Sequence, residues 1–440
     1  MAEKLSFKNE ERVELGKVEG DVEIRGCRTL MASEGDIIEI SGTLYVIDEL
    51  AIEGALHCGR LESKSRDQIT VNGNLTVDRA VSIPRGSLWV HGDAKARDIE
   101  IGAALRIEGN LECVAAKAGA SIRVTGDAKA QRLTGGGSVK IEGNVDVERV
   151  SGGGSVGIYG KIQAEEFDAG GSGKAVRGFI KKVSVGGSFK AEDAIEIEDL
   201  DVGGAAKVGP GSKVSTVDIG GTFKAEGDFE FGEINVGGTV KITGNATGRL
   251  IDVGGTVKTE GDLMVSEGLN VGGTVAIGGN LKSDGKIKVG GTVRAEGRID
   301  TFRIIVGGEI RADYIRATDG FRIGKRSEVR GFVESNEILI RERARTDSLY
   351  GSDIRIEERA RIASIYGKTI YIERDAYVEG EVLYTDSLEA EDGVTFREEP
   401  RKVDQLPPPE QLANTSRRSS KYSDHPDIPD PPDPPDPPEP

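Results

Sequence analysis

The sequence predicts an all-β fold, a single long β-solenoid followed by a disordered C-terminal tail. Three observations carry that reading. The phrase "VGGTVKTEGDL" at Val253 returns as "IGGTFKAEGDF" at Ile219 and "VGGTVRAEGRI" at Val289. Glycine reaches 62 of 440 residues and aromatics only 5%, so β-branched aliphatics and glycine corners dominate. Within each phrase apolar residues alternate with polar ones, the signature of a strand with one buried face.

Aligned, the phrases read Φ-x-Φ-x-G-x-Φ, with Φ apolar. The second Φ marks each repeat: Val71, Val90, Ile107, Val124, Ile141 and Ile158, then Val185, Val202, Ile219, Val236, Val253 and onward to Ile340, mostly 17 residues apart. The glycine two places on (Gly73, Gly109, Gly143, Gly255) falls where a bend leaves no room for a side chain. The residue before it varies freely, so the second glycine of each Gly-Gly pair is expected to carry the constraint and the first to be incidental. A coil of this kind cannot bury its apolar face alone and is stabilised by stacking on its neighbours. The 17-residue step, drifting to 16, suits a right-handed triangular β-helix better than a left-handed hexapeptide helix of 18.

In chain order, residues 1–17 read as a polar leader. The β-helix is expected over 18–399: irregular over 18–70, regular over 71–320 and charge-rich over 321–399. The marker step from Ile158 to Val185 is 27 residues, which suggests a loop inserted at 168–180. In the charge-rich part, residues 16 apart should stack, giving one column of Glu342, Glu358 and Arg374 and another of Arg341, Glu357 and Glu373. Residues 400–440, ending "PDIPDPPDPPDPPEP", favour extended polyproline II and no core. They are read as a solvating tail or as the ligand of a proline-recognising protein partner.

The formal charge of −17 argues against sequence-independent nucleic-acid binding. Three widely spaced cysteines, Cys27, Cys58 and Cys113, offer neither a disulfide framework nor a paired metal motif. No apolar run is long enough to span a membrane, and the N-terminus lacks a secretory core. The expected compartment is the cytoplasm.

No active site emerges. "GGGSVG" at Gly152 matches a dinucleotide fingerprint formally but opens no helix. His57, His91 and His425 are the only histidines, and His91 is the one candidate for acyl-transfer chemistry. Trp89 shares its outward parity and is expected to lie under the leader or a neighbouring loop. No catalytic, cofactor or metal residue is assigned, and no cofactor is expected. A stripe of Lys190, Lys207, Lys224, Lys241, Lys258, Arg294 and Arg311, interrupted by Ala276, would set cations ~4.8 Å apart. It needs neighbouring acids such as Glu226, Glu260 and Glu296, or a polyanion.

The coils "VNGNL" at Val71, "IEGNL" at Ile107 and "VGGTV" at Val236, the aliphatic core and the proline-rich tail together resemble the bactofilins, polymer-forming cytoskeletal proteins of bacteria with related forms in archaea. The resemblance spans residues 18–396. It implies a right-handed β-helix that assembles end to end into nucleotide-free filaments, often as a scaffold at a membrane. The family's usual rod is much shorter. Independently, a solenoid without caps ends in coils with unpaired backbone groups. The expected rim residues are Val18, Val22 and Ile24 at one end and Leu388, Val394 and Phe396 at the other. Leu5 and Phe7 are candidates for contact with a membrane surface. The reading is a self-associating structural scaffold; the alternatives are a β-helical enzyme acting on carbohydrate or acyl groups, and a monomeric adaptor that recruits a partner through its tail.

Overall fold

In the computed structural model, residues 4–413 are described; the proline-rich run and His425 lie outside them. The described chain forms two compact units, 4–209 and 210–413. Each is a β-solenoid of short parallel strands.

One coil explains the rest. Ser138–Ile141 is a straight strand with Val139 and Ile141 pointing inward. The chain turns at Gly143–Asn144, then runs along Val145–Gly152 with Val145, Val147 and Val150 inward. That second strand pairs Val147 with Ala164 and Arg149 with Glu166, skipping one residue in each strand. The skip bends it into two sides, so a coil has three sides and an aliphatic centre. Ile141, Val150 and Val156 are wholly buried. Each such side chain contributes about 1.5–3 kcal/mol of burial.

Each coil has two kinds of glycine corner, and the sequence reading followed one and then the other. Val71 to Ile158 end the short strands; Val185 to Val306 end the long ones. The 27-residue step is therefore one coil of 17 plus the 10 residues between corners. Residues 168–180 hold no inserted loop: Ser172–Ala175 is a strand paired with Ser155–Gly157 on one side and Ser188–Ala191 on the other. It escaped the pattern because Gly173 takes the inward apolar position. The space its missing side chain leaves is filled by the rings of Phe167 and Phe189, which meet edge to face with centroids 5.8 Å apart.

At the Gly-Gly corners both glycines are required, which corrects the expectation that the first is incidental. A Cβ on Gly254 would sit 2.6 Å from the Gly237 carbonyl oxygen, and one on Gly255 would sit closer still to that of Gly238. The coils approach each other there with backbone against backbone.

From Ile323 onward the corner changes. Arg326, Arg343, Arg359 and Asp375 adopt φ of 56–59° in tight turns that replace the double glycine. The Arg326 N–H donates to the Glu342 carbonyl (2.8 Å) and the Arg343 N–H to that of Glu358 (3.0 Å). Ala344, Ala360 and Ala376 follow directly and are buried. The two charge columns expected here each contain an ion pair: Arg341 bonds Glu357 at 3.0 Å and Arg374 bonds Glu358 at 2.8 Å.

Order extends past both limits expected for the solenoid. Leu5–Lys8 and Arg12–Leu15, read as leader, are strands of the first coil together with Lys17–Val18. Beyond Pro400, Arg401–Lys402 pairs with Leu383–Tyr384, and residues 409–413 form a helical turn. Val403, Leu406, Leu412 and Ala413 pack on Tyr314, Phe332, Tyr350, Tyr366 and Leu383, which come from successive coils. The segment lies along the flank of its unit, held by apolar residues that a reading weighted by proline and charge passed over.

Candidate assembly surfaces

The first coil ends in strands whose pairing, among the described residues, is one-sided. Leu5–Lys8 pairs with Val22–Arg25, Arg12–Leu15 with Thr29–Ala32, and Lys17–Val18 with Glu39–Ile40. Leu5 lies opposite Val22 and Phe7 opposite Ile24. Val22 and Ile24, placed at the rim by the sequence reading, are therefore one coil inside it, 0% and 1% exposed. Val18 is at the rim and half-buried. Leu5 and Phe7 are rim residues too, and Leu5 is 40% exposed.

The last coil is formed by the later part of Val382–Ala390, by Thr395–Phe396 and by Arg401–Lys402, which pairs over Leu383–Tyr384. Leu388 stacks on Ile370, and Phe396 on Val378. Leu388, Val394 and Phe396 are all half-buried. The C-terminal segment covers Leu383 and the flank. Each rim thus presents apolar side chains beside backbone N–H and C=O groups set for parallel pairing, the arrangement that adds strands.

The remaining candidate chemistry resolves into structural contacts. The Trp89 ring lies against the Arg106 guanidinium at 4.3 Å and the His91 ring at 4.5 Å. Its cover is a side chain of the next coil and not, as expected, the leader or a loop. His91 Nδ1 and Arg106 both contact Glu108, at 2.8 and 3.1 Å. The His91 bond is the largest cause holding the Glu108 carboxyl below its ordinary range. His57 contacts Asp78 at 2.9 Å. Burial pushes the Cys58 and Cys113 thiols up to about 12, which removes their nucleophilic form. Among the described residues no His, Cys, Asp or Glu group has the geometry to hold a metal ion.

Within each unit the members of the cation stripe stack in register, Lys190 with Lys207 in the first. Lys224 lies in register with Lys241, Lys241 with Lys258, and Arg294 with Arg311. One of the acids expected beside it is in place: Lys241 reaches Glu260 at 4.0 Å.

A ladder absent from the sequence reading lines a groove of about 870 Å³ on unit 4–209. Asn74, Asp93, Asn110, Asp127 and Asn144 each follow a corner glycine. The Asn74 Oδ1 accepts the Asp93 N–H (2.8 Å), Asp93 accepts that of Asn110 (2.7 Å), Asn110 that of Asp127 (2.8 Å), and Asp127 that of Asn144 (2.7 Å). In unit 210–413 the same ladder runs Asp228, Asn245, Asp262, Asn280. Acid and amide alternate without a break in each run. Stacked carboxylates ~4.8 Å apart would repel, whereas an amide between two of them separates the charges. The Asn280 Nδ2 also donates to Asp262 (3.1 Å). The signal was present in the letter after each corner glycine.

Residues 251–350 match the family model of bactofilin, described as polymer-forming cytoskeletal. The match covers Gly-Gly coils and the first of the tight-turn coils. No curated protein and no solved structure matches the chain.

Proposed function

We propose that this chain, whose residues 251–350 match the bactofilin model, is a structural scaffold that polymerises end to end without nucleotide. The polymer-forming character of that family supports the first part of this reading. The observation that carries the end-to-end part is the one-sided pairing of Leu5–Lys8, Arg12–Leu15 and Lys17–Val18. A second copy satisfies these strands by adding its own terminal coil. The joint would bury Phe7, Val18 and Leu5 against Leu388, Val394 and Phe396. Nothing in such a joint needs a nucleotide, because the free energy comes from backbone pairing and apolar burial.

In this reading the chain is not an enzyme and works in the cytoplasm. No described helix is long and apolar enough to cross a membrane. Peripheral membrane attachment through Leu5 and Phe7 would compete with assembly, because the same side chains form the rim. The test is electron microscopy of the purified chain without nucleotide. Filaments are expected in the wild type and not in Leu388→Glu. Monodisperse single copies at high concentration would overturn the proposal.

A further inference from the structure

The two rims expose the same three sides of a coil in the same order. At the N-terminal rim, Leu5–Lys8 stacks on Val22–Arg25, which stacks on the later half of Ile37–Val46. Arg12–Leu15 stacks on Thr29–Ala32, and Lys17–Val18 on the earlier half of Ile37–Val46. At the C-terminal rim, residues 387–390 stack on the later half of Arg361–Ile372. Thr395–Phe396 stacks on Tyr377–Val378, and Arg401–Lys402 on the start of Val382–Ala390. Each rim therefore runs later half, short strand, earlier half. The last coil of one copy can continue into the first coil of another with every strand parallel to the one beneath it.

The inward positions restrict the register. Leu5 and Phe7 lie over Val22 and Ile24, and Leu388 and Ala390 over Ile370 and Ile372. A slip of one residue would turn one of these sets outward. A slip of two would set Leu388 on Phe7 and Ala390 on Asn9, which at φ 59° already turns the corner. In register, Leu388 meets Leu5 and Ala390 meets Phe7, a small side chain opposite a large one. The outward pairs are then Glu389 with Ser6 and Glu391 with Lys8, acid opposite base. The second side agrees with no further adjustment. Val13 follows Phe7 by six residues and Phe396 follows Ala390 by six, so Phe396 meets Val13 and Arg397 meets Glu14. Each corner between them holds one residue of positive φ, Asn9 in the first coil and Gly393, at 84°, in the last. On the third side Arg401 comes to Lys17, and each is already bonded to an acid of its own copy, Glu381 and Glu39.

Resting on the end-to-end reading above, we propose that the joint is unlike to unlike and held in one register, with Phe7 of one copy seated on Ala390 of the next. The filament then has a direction, and its β-ladders run unbroken through every joint. Such a heterologous contact leaves one rim free after each addition, so growth stays open. Backbone pairing supplies attraction in any register. The Phe7–Ala390 fit and the Lys8–Glu391 pair select one, because a larger residue at 390 would hold the coils apart and charge complementarity fixes alignment. Two like rims facing each other have neither the fit nor the pair.

Cysteine pairing tests this. Ser6→Cys and Glu389→Cys are made in two separate full-length preparations, which are mixed, assembled and oxidised with diamide. Both positions are exposed, and strands ~4.8 Å apart bring such a pair within disulfide reach. A link from position 6 of one copy to position 389 of the other is expected in the mixture and in neither preparation alone. The unsubstituted chain, with its native Cys27, Cys58 and Cys113, gives the background. Links of 6 to 6 or 389 to 389 would overturn the unlike joint. A Ser6→Cys chain that couples better to Ser387→Cys or Glu391→Cys than to Glu389→Cys would overturn the register. Electron microscopy of the same samples reads assembly separately: filaments without the 6-to-389 link sink this inference and leave end-to-end assembly standing, whereas an absence of filaments in the unsubstituted chain removes both. Size exchange is a second arm. Ala390→Phe alone should abolish filaments, and adding Phe7→Ala should restore them. An Ala390→Phe chain that assembles like the wild type, or a double variant that stays as single copies, counts against the seat.

Discussion

At the scale of single residues, small deviations from the repeat carry definite physical demands. Gly173 stands where its neighbours carry valine or isoleucine, and a consensus-minded substitution would restore the pattern. Gly173→Val is nevertheless expected to destabilise by about 1–3 kcal/mol, because the Phe167 and Phe189 rings already fill the space. Thermal unfolding with near-ultraviolet dichroism reads both the loss and the disturbed rings. Asn110→Asp keeps the backbone acceptor but sets three carboxylates in a row with Asp93 and Asp127. It should lower the melting temperature most at low ionic strength and recover part of the loss in salt. Among native groups, the Glu108, Glu192 and Glu342 carboxyls are held below their ordinary range, first by hydrogen bonds from His91, Lys174 and Lys325. A depressed carboxyl stabilises the fold above its unfolded value and loses that contribution as pH falls through its folded value. Melting temperature should therefore decline as pH drops below about 4.5, the unperturbed value for these groups. Asp347 works in the opposite sense, since burial raises it. A curve that rises steadily toward acid would contradict the dominance of the paired glutamates.

At the scale of the element, the strands were legible and the corners were not. Alternation identifies each short strand because the inward parity is nearly uniform, as in Val139 and Ile141. Two different corners, however, share a glycine near an apolar strand end, so Ile158 and Val185 looked like the same landmark. Only stacking separates them: one corner is held by the Asn–Asp ladder, the other by glycine carbonyls of the adjoining coil. Gly254→Ala is expected to be costly, of the order of 2 kcal/mol or more, because its Cβ would meet backbone. Gly157→Ala should be nearly neutral, since its closest neighbour is the Tyr159 ring at 3.3 Å, a side chain able to give way. Chemical denaturation of the two variants makes the comparison. The rims were misjudged by one coil at the N-terminal end because charges in "MAEKLSFKNEERVEL" concealed the alternation of Leu5 with Phe7 and Val13 with Leu15.

For the whole molecule, the proposed polymer depends on two unlike surfaces. Phe7→Glu and Leu388→Glu each put a charge on one of them, and neither residue is fully buried. Both variants should keep the wild-type far-ultraviolet spectrum and stop at one or two copies by analytical ultracentrifugation. A Phe7→Glu preparation that still forms long filaments would remove that rim from the joint. Fold class was readable at this scale because a repeat multiplies a weak local signal. The assembly surfaces were less so, since each occurs once and is defined by which coil lies outermost.

The alternation of asparagine and aspartate gives the solenoid a parity. Excising one coil between Asp93 and Asp127 would bring two carboxylates face to face, whereas excising two would restore the sequence of amide and acid. Within each run, a change of length by two coils, about 34 residues, preserves the alternation, and a change by an odd number of coils sets two like groups side by side.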